Sequence, residues 1–127
     1  MEKRIICVDD DEQIRVMYEQ VFSRTGYTVE TVESAEAALD LIKKKSFGLA
    51  FLDIKLPGMS GIELCREIRK SWPLVTPVAV TGYVTMYELT ECRDAGFEDY
   101  FIKPVNLEDL LSVASFSFNR LERWRDR

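Results

Sequence analysis

Five residues in this chain of 127 could do chemistry together: Asp9, Asp10, Asp53, Thr81 and Lys103. Each lies where a short apolar run ends. Arg4-Ile-Ile-Cys-Val8 leads into Asp9-Asp10, Leu49-Ala-Phe-Leu52 into Asp53, Val78-Ala-Val80 into Thr81, and Tyr100-Phe-Ile102 into Lys103. Three carboxylates brought together repel one another, and burial raises their pKa values further, so a cation must offset them. A hard divalent ion with oxygen ligands, Mg²⁺ above all, suits such a set. Lys103 adds a fixed ammonium and Thr81 a hydroxyl donor. A carboxylate nucleophile, a metal, an ammonium and a hydroxyl form an acceptor for a phosphoryl group.

The elements between these residues must bring them to one place. The runs before Asp53 and Thr81 are apolar throughout and suit strands buried on both faces. Thr28-Val-Glu-Thr-Val32 alternates polar with apolar and suits a half-exposed edge strand, one that ends in no comparable polar residue. Between the strands lie helical patterns. Ile14, Met17, Tyr18, Val21 and Phe22 form the first, with Gly26 expected as its C′ residue. Ser34 caps an alanine-rich helix over Ala35–Lys45. Ile62, Cys65, Ile68 and Arg69 continue a helix to about Trp72, stopped by Pro73. The fourth strand is expected to begin after Pro77. A less hydrophobic helix, roughly Met86 to Ala95, ends at Gly96, and Asn106 caps a last helix carrying Leu107, Leu110, Leu111, Ala114, Phe118 and Leu121.

Five strands alternating with five helices through short loops predict one α/β domain, doubly wound around a five-stranded parallel sheet. In such a sheet the four polar strand ends share one rim, where open α/β folds place their ligands. No internal repeat or linker-like stretch divides the chain.

Composition narrows the function. The hydrophobic and charged fractions, 46% and 31%, are those of a globular protein. A net charge of −5 argues against a sequence-independent grip on nucleic acid, and no apolar run reaches membrane-spanning length. Cys7, Cys65 and Cys92 form an odd, widely spaced set, read as reduced thiols of a cytoplasmic protein. The chain has no histidine. That excludes a Ser-His-Asp triad, a histidine-containing zinc site and a phosphohistidine carried in cis.

Taken singly, each residue has an ordinary reading. Acidic residues such as Asp11 and Glu12 favour a helix N-terminus, Asp53 could form a turn, and Lys103 could be a solvated lysine. The ordered set is stronger than its members. Asp9-Asp10, Asp53, Thr81 and Lys103-Pro104, in that order and spacing, resemble a response-regulator receiver domain of two-component signalling, over nearly the whole chain. The resemblance implies the flavodoxin-like strand order 2-1-3-4-5. It implies Asp53 as phosphoacceptor, with Mg²⁺ held by Asp10, Asp53 and the backbone carbonyl of Lys55, and by Asp9 through water. Thr81 and Lys103 would contact phosphoryl oxygens, Tyr100 would be the switch aromatic, and Lys103-Pro104 would be a cis peptide. Lys55 and Tyr83 flank the phosphoryl position, where side chains tune hydrolysis.

The resemblance further implies a switch rather than a turnover enzyme, phosphorylated in trans by a histidine kinase or histidine phosphotransfer protein. Its output surface would be the fourth helix, fifth strand and fifth helix, through which a homodimer could also form. The receiver is expected over residues 1–122. Residues 123–127 are read as a C-terminal tail or the start of a linker helix toward an output domain or partner. Two alternatives stand beside this reading. One is a small Mg²⁺-dependent phosphatase or phosphotransferase with an aspartyl-phosphate intermediate, although Asp9-Asp10-Asp11-Glu12-Gln13 lacks the final Thr or Val that haloacid-dehalogenase-like enzymes carry. The other is a receiver-like binding module that takes no phosphate.

Overall fold

The computed structural model describes residues 2–125. Strands β1 (Arg4–Val8), β2 (Thr28–Val32), β3 (Leu49–Leu52), β4 (Thr76–Thr81) and β5 (Asp99–Ile102) alternate with helices α1 (Glu12–Ser23), α2 (Ala35–Lys44), α3 (Gly61–Ser71), α4 (Met86–Ala95) and α5 (Leu107–Arg125). All strand pairs are parallel, in the order β2-β1-β3-β4-β5. This is the doubly wound sheet that the alternation of apolar runs predicts.

Alternation along the strands sorts the core into two layers. Ile6, Val8, Ala50, Leu52 and Ala79 face α2, α3 and α4, meeting Ala38, Ile42, Leu64, Cys65, Ile68 and Cys92. Ile5, Cys7, Leu49, Phe51, Val78 and Val80 face α1 and α5. There Phe51 stacks on both Tyr18 and Phe22, each ring 5.6 Å away centre to centre. All three cysteines are free and buried. Of the apolar residues late in α5, Phe118 and Leu121 join this second layer while Phe116 is 65% exposed.

Local chemistry explains most helix ends. Asp11, Ser34, Ser60 and Thr85 each cap a helix by accepting a backbone N–H. Gly96 closes α4 in the left-handed region, φ 104°. Gly26 closes α1 as expected, in the left-handed region at φ 90°, with the Tyr27 N–H donating to Phe22 O at 3.1 Å across it. The Thr25 amide and hydroxyl take up the Phe22 and Val21 carbonyls. β4 also begins before Pro77, at Thr76. Proline's missing N–H costs nothing there, because only its carbonyl is used, accepting from Glu98 N–H at 2.9 Å.

Glu98, just before β5, is held from two sides on the amino-terminal rim. Arg69 of α3 pairs with it at 2.7 Å and Arg120 of α5 at 3.8 Å. Arg120 also donates to the Thr76 hydroxyl at 3.1 Å. Helix α5 runs unbroken past residue 122 to Arg125, and the final two residues of the expected tail lie outside the described residues. Among the described residues no helix is long and apolar enough to cross a membrane.

Candidate functional site

The sheet register sets the acidic cluster. Val8 pairs with Leu52 on the neighbouring strand, so Asp9 and Asp53 leave β1 and β3 side by side. The Asp53 N–H donates to Val8 O at 2.9 Å and the Asp9 N–H to Val32 O at 3.1 Å, which fixes both backbones. β1 and β3 are also the strands between which the winding direction reverses, the expected crevice of an open α/β sheet. Asp10 follows on the surface. One carboxylate oxygen from each of Asp9, Asp10 and Asp53 lies within 4.8 Å of the others.

Lys103 reaches this cluster from the end of β5. Its ammonium lies 2.8 Å from Asp9 Oδ2 and 3.0 Å from Asp53 Oδ2. Its own N–H donates to Thr81 O at 2.8 Å, and the Lys103–Pro104 peptide is cis. Burial alone would lower the ammonium's pKa. The Asp9 and Asp53 carboxylates against it more than reverse this, leaving it above the ordinary lysine value. Asp9 shows the opposite balance. Only 1% exposed, it has its carboxyl pushed up by burial, against the opposing pull of Lys103 and the Asp11 N–H.

The contact between Lys103 and Asp9 Oδ2 is close but poorly directed, so this buried oxygen has an ion pair and no aligned hydrogen bond. Asp53, by contrast, accepts an aligned bond from Lys103 on Oδ2 and another from the Lys55 N–H on Oδ1, at 3.0 Å each. A buried carboxylate oxygen with unused capacity, in a group of three carboxylates, is a donor set of hard oxygens. It fits a hard divalent cation far better than a soft one.

Other residues singled out from the sequence lie further from the cluster's centre. Thr81 is buried at the end of β4, and its hydroxyl donates weakly to Tyr83 O at 3.4 Å rather than to a carboxylate. The Lys55 side chain turns away from Asp53. Its ammonium sits 5.1 Å from the centre of the Tyr83 ring and 3.7 Å from Glu88 Oε1. Tyr83 is exposed, and Tyr100 on β5 is 43% exposed, its ring outside the core.

Three participants escaped the sequence reading. Arg15, one turn into α1, donates to Asp9 O at 2.9 Å. Glu36 of α2 accepts the Met59 N–H at 3.0 Å and so holds the loop that follows Asp53. Glu88 joins α4 to Lys55. Only Glu88 carried a signal, as the last residue of Thr85-x-x-Glu88, which is a capping box.

Comparison with known proteins agrees with this geometry. The family model described as "Response regulator receiver domain" matches residues 5–115. The chain is 40% identical over 110 residues to the "Uncharacterized transcriptional regulatory protein YrkP" of Bacillus subtilis, covering 87% of this chain and 47% of that one. It is 35% identical over 112 residues to the "Response regulator MprA" of Mycolicibacterium vanbaalenii, covering 88% and 48%. The chain thus spans about half the length of the curated relatives it matches. Among solved structures, a CheY-like receiver domain protein from Methanospirillum hungatei superposes with a TM-score of 0.92 at 36% identity, over 97% of this chain and 98% of that one. With the family model matching residues 5–115 and the sheet in the order 2-1-3-4-5, the chain belongs to the family of response regulator receiver domains.

Proposed function

We propose that this domain is a phosphorylation-controlled switch in which Asp53 accepts a phosphoryl group from a phosphohistidine supplied in trans by a histidine kinase or phosphotransfer protein. The observation that carries the reading is the Lys103 ammonium 3.0 Å from Asp53 Oδ2, beside a cluster of three carboxylates. An oxygen of Asp53 attacks phosphorus in line. The new O–P bond forms as the N–P bond breaks, and its electron pair returns to the donor imidazole. Lys103 balances charge on the transferring oxygens, and Thr81 turns its hydroxyl from the Tyr83 carbonyl toward them.

Mg²⁺ fits the donor set, held by Asp10, Asp53 and the Lys55 carbonyl, with Asp9 acting through water. When bound it neutralises the carboxylates and the incoming phosphate. Movement of Thr81 opens space for Tyr100 to rotate inward, and the surface of α4, β5 and α5 changes with it. That surface meets the output partner or domain, or a second copy. The receiver spans residues 1–122, with the end of α5 leading into the tail or a linker helix. The reduced thiols suit the cytoplasm.

Lys55 and Tyr83 stand beside the acceptor and limit the approach of hydrolytic water. The Lys55→Ala, Tyr83→Ala double variant should therefore lose its phosphoryl group several-fold faster; an unchanged lifetime removes this role.

The central test is intact-protein mass after incubation with acetyl phosphate and Mg²⁺. The expected result is a gain of one phosphoryl group, absent in Asp53→Asn. Continuous catalytic consumption of the donor without a stable adduct would favour the phosphatase reading, and no gain at all would favour a binding module.

A further inference from the structure

The short segment joining β4 to α4 is tied down at three points, two of them through the side chains of Thr81 and Lys55. The Thr81 hydroxyl donates to Tyr83 O at 3.4 Å. The Lys55 ammonium lies over the Tyr83 ring at 5.1 Å and pairs with Glu88 Oε1 at 3.7 Å. The same Glu88 oxygen accepts the Thr85 N–H at 3.1 Å, while the Thr85 hydroxyl accepts the Glu88 N–H at 3.0 Å. Glu88 is therefore both the capping residue of α4 and the counter-ion of Lys55. Lys55 in turn is fastened to the acceptor by its backbone, whose N–H donates to Asp53 Oδ1 at 3.0 Å. One residue thus has its backbone on Asp53 and its charge on α4.

We propose that Glu88 is a positioning residue, a latch that holds the Lys55 ammonium on α4 and away from the acceptor until Asp53 is phosphorylated. This rests on the phosphoacceptor reading of Asp53. Conversion of the Asp53 carboxylate to an acyl phosphate replaces one negative charge by up to about two, two residues from Lys55, and the phosphoryl oxygens compete with Glu88 for the same ammonium. Phosphorylation then removes the Thr81 and Lys55 ties together, and the β4–α4 segment is freed from the acceptor side without involving Tyr100. Coupling of this kind is reciprocal: a latch that must open for the phosphoryl group weakens its binding by the same factor. The Lys55 side chain is 50% exposed and that of Glu88 25%. An ion pair of that exposure supports an effect of about twofold to fivefold.

The variant that isolates the latch is Glu88→Gln. Glutamine serves as well as glutamate in a capping box, so α4 keeps its cap and only the ion pair is lost. Beryllofluoride with Mg²⁺, a non-covalent phosphoryl mimic, is titrated calorimetrically against the wild type, Glu88→Gln, Lys55→Met and the double variant. Glu88→Gln is expected to bind it about twofold to fivefold more tightly, with the gain absent in the Lys55→Met background and shrinking in about 0.5 M salt, where exposed charges are screened. Equal affinity of wild type and Glu88→Gln would overturn the latch, as would the same gain without Lys55. In either case a wild type that still binds the mimic leaves the phosphoacceptor reading intact. A wild type that neither binds the mimic nor takes phosphate from acetyl phosphate removes that reading and the latch with it.

Discussion

The carbonyl oxygen of Asp53 lies 2.0 Å from where a Cβ on Gly61 would stand, and the Ile54 Cα lies 2.7 Å from the same point. Helix α3 therefore begins directly against the backbone that carries Asp53, and Gly61 N–H donates to Ile54 O at 3.1 Å. Backbone meets backbone here, so no side-chain rotation relieves the clash. Gly61→Ala should cost about 2 kcal/mol or more and weaken Mg²⁺ binding by displacing the loop. At Gly82 a Cβ would meet nothing within 4 Å, so Gly82→Ala should be near neutral. Urea titration of the two variants measures the contrast.

Mg²⁺ should raise the melting temperature, because the oxygens of Asp9, Asp10 and Asp53 converge only in the folded chain. At a concentration one hundred times its dissociation constant, the gain is about 2.7 kcal/mol. Asp10 is exposed, so Asp10→Asn should fold normally and lose most of the shift. A full shift in that variant, read by scanning calorimetry, would remove Asp10 from the metal site.

Lys103→Met should leave the buried Asp9 carboxyl without its cation. The expected cost is about 1–3 kcal/mol in metal-free buffer. Mg²⁺ supplies positive charge to the same carboxylates, so the deficit should narrow when it is added. Denaturation with and without the ion, on both proteins, tests the difference.

Burial pushes the Cys65 thiol up to about 12 from an ordinary value of 9.0. In the unfolded chain the same thiol ionises from about pH 9, while in the folded chain it stays protonated. The unfolded state then binds fewer protons, and stability falls as pH rises above 9, by about 1.4 kcal/mol per pH unit for such a group. The buried Cys7 thiol and Tyr18 phenol, both raised chiefly by burial, act in the same direction. Alkaline unfolding should be delayed in Cys65→Ala, and Cys65 in the native protein should resist alkylation at pH 8.

Strand identity was readable because a parallel sheet leaves uninterrupted apolar runs, and Asp9, Asp53, Thr81 and Lys103 are where those runs stop; the strand order followed only from the family resemblance. The sequence could not show what depends on a side chain's direction. Lys55 was singled out as a neighbour of the acceptor, but its pairing with Glu88 crosses from one loop to another helix. Glu36 reaches Met59 across 23 positions, and nothing in either residue's surroundings announces it. Pro77 misled as a boundary because proline usually interrupts a ladder; here it stands near the start of β4, where only its carbonyl is needed. The last turns of α5 were ambiguous for a related reason. Phe116 and Phe118 are equally apolar, and only packing against the sheet decides which is buried.

The bracket of Arg69 and Arg120 around Glu98 makes the two ends of β5 unequal. At its amino end the strand is clamped to α3 and α5; at its carboxyl end it carries Lys103, held by the Asp9 and Asp53 carboxylates. A strand pinned at one end and pulled at the other behaves as a lever with its fulcrum at Glu98. A small displacement of Lys103 should then be felt most at Ile102, beside it, and least at Asp99 and Tyr100, next to the fixed end. Cutting the clamp with Glu98→Gln should therefore loosen the fulcrum, and tension applied at Lys103 would then be lost as slack.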